Sequence, residues 1–302
     1  MNRAHRLLAG LILALIGDSL GQSPDMLRTG FPLHALNNVD QRDAKVAMGH
    51  LLKEIVERHA VAYTTEIVEQ DDEFLNNLTA GRYDFFLIFG YDYLRLRKGY
   101  AMRPILVGQH SDDQVLEEFL LLTGHGIGNF DELTDGNLLI AKGTGKLPEL
   151  WLGDWLKSKG HPPPSDIFGT VETVDNISKA ILPVFFGKAD SCLVTRSGFD
   201  LMNELNPQIG KRLQVRASSP PLLRSVLCLS PDYVEKEAGL VKKEGLQLNS
   251  LPKGEQLITL LRMKKLVEFD PAFLENLETL VESTQAELPL AHAVESEESD
   301  EP

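Results

Sequence analysis

Four consecutive residues in this 302-residue chain have the types and order to seat an oxyanion: Gly143, Thr144, Gly145 and Lys146. They open a run, Leu147 to Ser158, whose apolar spacing predicts a helix. The first N–H groups of a helix have no partner inside it, and the helix dipole adds positive potential there. Gly143 and Gly145 allow close backbone approach, Thr144 supplies a hydroxyl, and Lys146 adds a formal charge. The competing reading is a plain hydroxyl cap at Thr144, with Lys146 in solvent. Tyr91 and Tyr93 form a second candidate pair, directly after the apolar run Tyr83 to Phe89. Tyrosine offers a flat apolar face and a hydroxyl, and loops after buried strands carry function. Two positions apart, both rings reach one ligand only if the segment stays extended. The alternative is that both pack against the fold.

Catalytic and metal chemistry lack comparable support. The chain has no Walker loop, no dinucleotide glycine pattern after its first strand, and no His-Glu-x-x-His. Its eight histidines, among them His34, His50, His59, His110, His125 and His161, show no metal-ligand spacing. Ser197-Gly198 lacks the surroundings of a nucleophile elbow, and Cys192 with His125 would pair only by accident of folding. No catalytic residue, metal or cofactor is therefore expected. Trp151 and Trp155 lie four apart, on one helical face, which fits core packing. Cys192 and Cys228 sit in apolar, strand-like runs, leaving buried free thiols and a single disulfide both open. The net charge of −14, from 44 acids against 30 Lys and Arg, argues against a nucleic-acid surface. It leaves a small anion open, since a few aimed N–H groups suffice for one.

The elements that must position these residues alternate between strand and helix, which predicts an α/β fold. Met26 to Phe31 reads as a strand, Asp40 as the cap of a helix, Ala62 to Val68 as a strand and Asp72 to Ala80 as a helix. Tyr83 to Phe89 is nearly continuously apolar, as a strand buried on both faces should be. A second cycle follows. Asn137 to Ala141 reads as a strand, Leu147 to Ser158 as a helix, Asp166 to Val171 as a strand, and Asp175 as the cap of a helix to Phe186. Strands around Cys192, at Leu213 to Ala217 and at Ser225 to Leu229 come next, then two helices between Gly254 and Ser283. At the amino end, Arg3, His5 and Arg6 precede ten apolar residues, Leu7 to Ile16, and then Ser19-Leu20-Gly21. That is the grammar of a signal peptide over residues 1–21, with a run too short to span a bilayer. Residues 286–302 carry six acids and no Lys or Arg, the composition of a disordered tail.

The two cycles share a phrase. Leu78 to Asp84 ends a helix on Gly81, takes two residues and enters a strand through Asp84. Val184 to Asp190 does the same through Gly187 and Asp190. The repetition suggests two similar lobes, 24–122 plus 224–283 and 123–223, with a ligand cleft at the carboxyl ends of their strands. Phe119 to Thr123 and Ser225 to Ser230 are expected to join them as antiparallel hinge strands. Two sequential domains on one linker is the alternative.

In order and spacing these phrases resemble the phosphonate-type family of periplasmic solute-binding proteins. The matching pieces are Gly30-Phe31-Pro32, Leu78 to Asp84, Phe89 to Tyr93, Asp131 to Gly136, Gly187 to Asp190 and Ser218-Ser219-Pro220. The resemblance implies a type 2 periplasmic-binding-protein-like α/β fold, two lobes joined by a two-strand hinge. It implies an exported, monomeric protein that captures a small anionic or polar solute, phosphonate- or phosphate-like, for a membrane transporter permease. A ligand-sensing module for a membrane receptor is the alternative, and an enzyme on the same fold, resembling pyrimidine-precursor synthases, a further one. Carried onto this chain, the family's binding positions are Phe31, Tyr91, Tyr93, Gly143 to Lys146, Asn176, Ser178 and Asp190. Two positions depart. The family shows Ser-Thr-Ser-Gly where this chain has Gly143 to Lys146, and a ligand-touching His where it has Asn176-Ile177-Ser178.

Overall fold

The computed structural model describes residues 26–284, except 37–40, 60–62, 111–113, 125, 127–132, 144, 232, 234 and 262. The signal segment expected at 1–21 and the tail expected at 286–302 lie outside the described residues, as does Thr144.

The chain starts with β1 (Leu27–Pro32), α1 (Gln41–His59), β2 (Tyr63–Val68), α2 (Asp71–Thr79), β3 (Phe85–Phe89), α3 (Gly90–Leu96) and β4 (Arg103–Gln109). It continues through β5 (Phe119–Gly124), β6 (Asn137–Ala141), α4 (Leu147–Ser158), α5 (Pro164–Ile167), β7 (Thr170–Val174) and α6 (Ile177–Phe185). Next come β8 (Ser191–Thr195), α7 (Arg196–Leu205), α8 (Gln208–Arg212) and β9 (Leu213–Ser218). It ends with β10 (Ser225–Leu229), α9 (Glu235–Leu246), α10 (Pro252–Leu260), β11 (Lys265–Glu268) and α11 (Glu275–Ser283).

These strands build two sheets, in the orders β11-β4-β10-β3-β1-β2 and β7-β6-β8-β5-β9. In the first, β1 runs parallel to β2 and β3, and β10 antiparallel to β3 and β4. In the second, β6 runs parallel to β7 and β8, and β5 antiparallel to β8 and β9. The molecule is thus a two-lobe α/β fold. The chain changes sheet after β4 and again after β9. The two connecting segments meet in an antiparallel bridge, where Glu117 and Leu222 exchange two hydrogen bonds of 2.9 Å. The expected connectors, Phe119 to Thr123 and Ser225 to Ser230, are instead interior strands of opposite sheets. Their unbroken apolar character explains this: every residue of Phe119 to Thr123 is buried, as in a strand covered on both faces. The crossings are the less apolar stretches just before them, 114–118 and 219–224.

The repeated phrase has the same job in both lobes. Gly81 and Gly187 adopt left-handed φ values of 69° and 68° just past their helices, where a Cβ would be strained. Three residues later the acid reaches the neighbouring parallel strand. Asp84 Oδ2 accepts the Arg28 N–H at 2.9 Å, and Asp190 Oδ2 accepts the Asn137 N–H at 2.8 Å. Both ties lie at the amino ends of the strands, away from the ends that the helices α3, α4, α6 and α7 leave. Cys192, on β8, and Cys228, on β10, are buried free thiols in different sheets. Burial pushes both thiols well up. Residues 166–171, expected as strand, split into the end of α5 and the start of β7, because Pro163 and Pro164 favour a helix start. No described helix is long and apolar enough to cross a membrane.

Candidate functional site

The carboxyl ends of the parallel strands in the two sheets meet across a cleft. Phe89 ends β3 on the first lobe, and its ring lies 3.2 Å from the point a Cβ on Gly145 of the second lobe would occupy. Gly145 holds φ at +60° and Gly143 at +114°, so both positions suit glycine on conformation, and Gly145 on space as well.

On the second lobe three helices start at this cleft, each with N–H groups to satisfy. Asn176 caps α6, its side chain accepting the Lys179 N–H at 2.9 Å. Thr195 Oγ1 accepts the Gly198 N–H of α7 at 3.1 Å. Glu117, from the connecting segment, accepts both the Ser197 N–H at 3.2 Å and the Ser197 hydroxyl, so a carboxylate of the chain itself sits on the α7 dipole. The third, α4, is different. Its cap residue is Lys146, which makes no side-chain capping bond, and Pro148 in its first turn carries no N–H. Among these three starts, α4 is the one whose described cap residue is a lysine, so a formal positive charge adds to the helix dipole there. A gap of only 10 Å³ separates Ala141, Lys142, Pro148, Ile177, Val194 and Thr195 beneath it.

The first lobe presents acids to the same cleft. Asp71, Asp72 and Glu73 fill the first turn of α2, and Asp92 that of α3. Burial pushes the Asp92 carboxyl up to about 6; Arg95, 3.4 Å away, and Lys146 pull the other way. Burial likewise raises Asp71, against the pull of His34, whose Nδ1 lies 3.5 Å off, and of Lys146. Lys146 therefore acts across the cleft on both carboxylates. Gly90 sets the approach of α3: its N–H donates to the Arg224 carbonyl at 2.9 Å, and any Cβ there would overlap the Leu223 carbonyl oxygen.

Of the residues singled out from sequence, Gly143, Gly145 and Lys146 come together at the cleft, and Thr144 lies outside the described residues. Asn176 is at the cleft but spends its side chain on the α6 cap. Tyr91 and Tyr93 do not share a face, because residues 90–96 form a helix, where neighbours two apart point in nearly opposite directions. Tyr93 packs on Phe269, ring centroids 6.2 Å apart, with the Arg97 guanidinium 6.0 Å above it, and Tyr91 is buried in the same core. Phe31 turns inward as well, edge-on to Phe85 at 6.2 Å. Ser178 donates to Met202 Sδ at 3.4 Å inside the second lobe. Asp190 holds the amino end of β6, the end away from the cleft. These departures share a cause: motif order along the chain does not show which face of an element a side chain leaves. His34, Asp71 and Asp92 escaped the sequence reading, each being one polar residue on a separate strand-end segment. No described His, Cys, Asp or Glu residues cluster in a way that could hold a metal ion.

A family model for the phosphonate periplasmic substrate-binding proteins of ABC transporters matches residues 35–274. The chain belongs to that family. No curated protein matches the sequence of this binding protein. Among solved structures it is similar to a binding-protein component of an ABC phosphonate transporter from Pseudomonas aeruginosa. The TM-score is 0.68 and the identity 11%, over 86% of this chain and 87% of that one. It is also similar to a Xanthomonas citri protein bound to ATP, with TM-score 0.66 and 14% identity over 87% and 98% of the two chains. A Prochlorococcus marinus protein in complex with methylphosphonate gives TM-score 0.64 and 14% identity over 87% and 99%. These likenesses carry the two-lobe fold. Proteins of this family are the substrate-binding parts of transporters, not enzymes.

Proposed function

We propose that this binding protein captures a small phosphonate-type anion in the cleft and presents it to an ABC permease from the periplasmic side. The observation that carries this reading is the start of α4. Gly143 and Gly145, both at positive φ, lead into it, and its cap residue Lys146 makes no side-chain capping bond, while α6 and α7 are capped by Asn176 and Thr195. The family match and the methylphosphonate held by a protein of the same fold support the ligand class. We further divide the lobes at the Glu117–Leu222 bridge rather than at residues 122 and 223, since all of β5 belongs to the second sheet, and take closure about that bridge as the working motion. Captured solute adds contacts to both lobes at once, so it favours the closed population.

A thermal-shift series with methylphosphonate, phosphate and sulfate tests the reading, because a ligand bound only by the folded chain raises its melting temperature. Methylphosphonate should raise it most and the rise should grow with ligand concentration. No rise with any of the three would remove the anion from this account.

A further inference from the structure

We propose that α11 is a strap across the two lobes: it ties the second lobe to the first outside the connecting segments, and so sets how readily the cleft opens. By chain order α11 follows β11 and belongs to the first lobe. It is nevertheless seated on α3 of the first lobe, on the second connecting segment and on α4 of the second lobe. At the end of α3, the Arg97 guanidinium donates to Glu278 Oε1 at 2.6 Å. At its start, Leu277 Cδ2 lies 3.0 Å from the point a Cβ on Gly90 would occupy. On the connecting segment, Asn276 Nδ2 donates to the Pro221 carbonyl at 2.9 Å. Towards α4 the hold is apolar. Leu277 and Leu280 are buried in one cluster with Trp151 and Leu152 of α4 and with Tyr91 and Leu94 of α3.

The placement matters because of what α4 carries. Its start brings Gly145 and Lys146 to the cleft, with Phe89 of the first lobe against Gly145. A rotation that opens the cleft must move α4 relative to α3. The connecting segments resist this weakly, since they meet through the two bonds of the Glu117–Leu222 bridge. The apolar seam resists it more. Parting α11 from α4 returns leucine and tryptophan surface to water, and the cost grows with the area exposed. The strap therefore favours the closed population before a solute arrives, and the solute supplies the remaining bias. A weaker strap lowers the binding-competent fraction, and with it the affinity, without touching the ligand.

Small-angle scattering of the full chain without ligand reads the strap by itself and does not rest on what the cleft binds. Leu280→Ala, which cuts the apolar seam, should raise the radius of gyration of the ligand-free chain. Leu78→Ala, also deeply buried but at the far end of the first lobe beside Gly81, should lower stability and leave that radius at the wild-type value. Asn276→Ala removes one bond from an exposed residue and should shift the radius in the same direction by less. It carries the test if Leu280→Ala does not fold. Saturating methylphosphonate should return the Leu280→Ala radius to the wild-type value, with a dissociation constant about fivefold weaker, as a fivefold smaller competent fraction gives. Unchanged ligand-free radii in both α11 variants would overturn the strap, and so would an equal increase in Leu78→Ala. If methylphosphonate binds neither wild type nor variant, the reading of the cleft fails and the ligand-free radii still decide the strap.

Discussion

The two lobes share one strand plan and treat their helix starts in opposite ways. In each, a central parallel pair is tied at its amino end by an acid after a left-handed glycine, Asp84 to Arg28 and Asp190 to Asn137. At the carboxyl ends the agreement stops. The first lobe covers its helix starts with the acids Asp71, Asp72, Glu73 and Asp92. The second uses neutral caps, Asn176 and Thr195, borrows Glu117 for α7 and sets Lys146, which makes no side-chain capping bond, at the start of α4. The fold needs the ties in both halves; it does not need a lysine at a helix start in either. The difference is the ground on which we propose that a solute anion is received at the start of α4, with the acids opposite disfavouring it on the first lobe.

The comparison can be broken most sharply at the glycines that begin the cleft helices. Gly90→Ala would drive a methyl group into the Leu223 backbone, which cannot move without shifting the connecting segment, and should cost about 3 kcal/mol in denaturant unfolding. Gly198→Ala on the second lobe meets mainly the Ile177 Cδ1, the end of a flexible side chain, and should cost about 1 kcal/mol. Equal costs would show that the lobes do not differ in how tightly they abut the connectors.

The acids of the first lobe sharpen the comparison through pH. Asp92 is raised to about 6 in the folded protein against an ordinary value near 3.9. Between those values the folded state binds more protons than the unfolded one, so this group's contribution to stability falls as pH rises from about 4 to about 6. Asp92→Asn should remove that slope and raise stability at pH 7 by about 2 kcal/mol, read from unfolding midpoints at pH 4, 5, 6 and 7.

The paired ties come next in size. Asp84→Ala removes bonds to the Arg28 N–H and guanidinium and should cost about 2 kcal/mol, while Asp190→Ala, with one backbone bond recorded, should cost about 1 kcal/mol. Neither should change affinity for methylphosphonate, since both lie at the far end of the sheets. A loss of binding in Asp190→Ala with stability intact would return that residue to the site. Asn176→Ala should also cost about 1 kcal/mol, as a lost cap does, again with affinity held.

Much of this architecture was legible in the residues. Asn137–Ala141, Leu147–Ser158 and Ser225–Leu229 follow directly from apolar runs and helical spacing, and the paired Gly-x-x-Asp phrases foretold two lobes. The elements that escaped are those whose pattern is weak without their neighbours. The helix α3 is seven residues long and opens on a glycine, β4 carries Pro104 and Gly108, and β11 is four residues between helices. Within the site, Gly143, Gly145 and Lys146 were readable because they are contiguous. His34, Asp71 and Asp92 follow three different strands of the first lobe, and only folding brings them to one wall.

The central claim is that the ligand's anion sits at the start of α4, and calorimetric titration of methylphosphonate into the wild-type chain and Lys146→Ala tests it most directly. Losing one charge-assisted contact of about 1.5 kcal/mol should weaken the dissociation constant at least tenfold. Lys146 is exposed and forms no capping bond, so the melting temperature without ligand should stay within a degree or two. An unchanged dissociation constant in Lys146→Ala would contradict the account and place the anion elsewhere in the cleft.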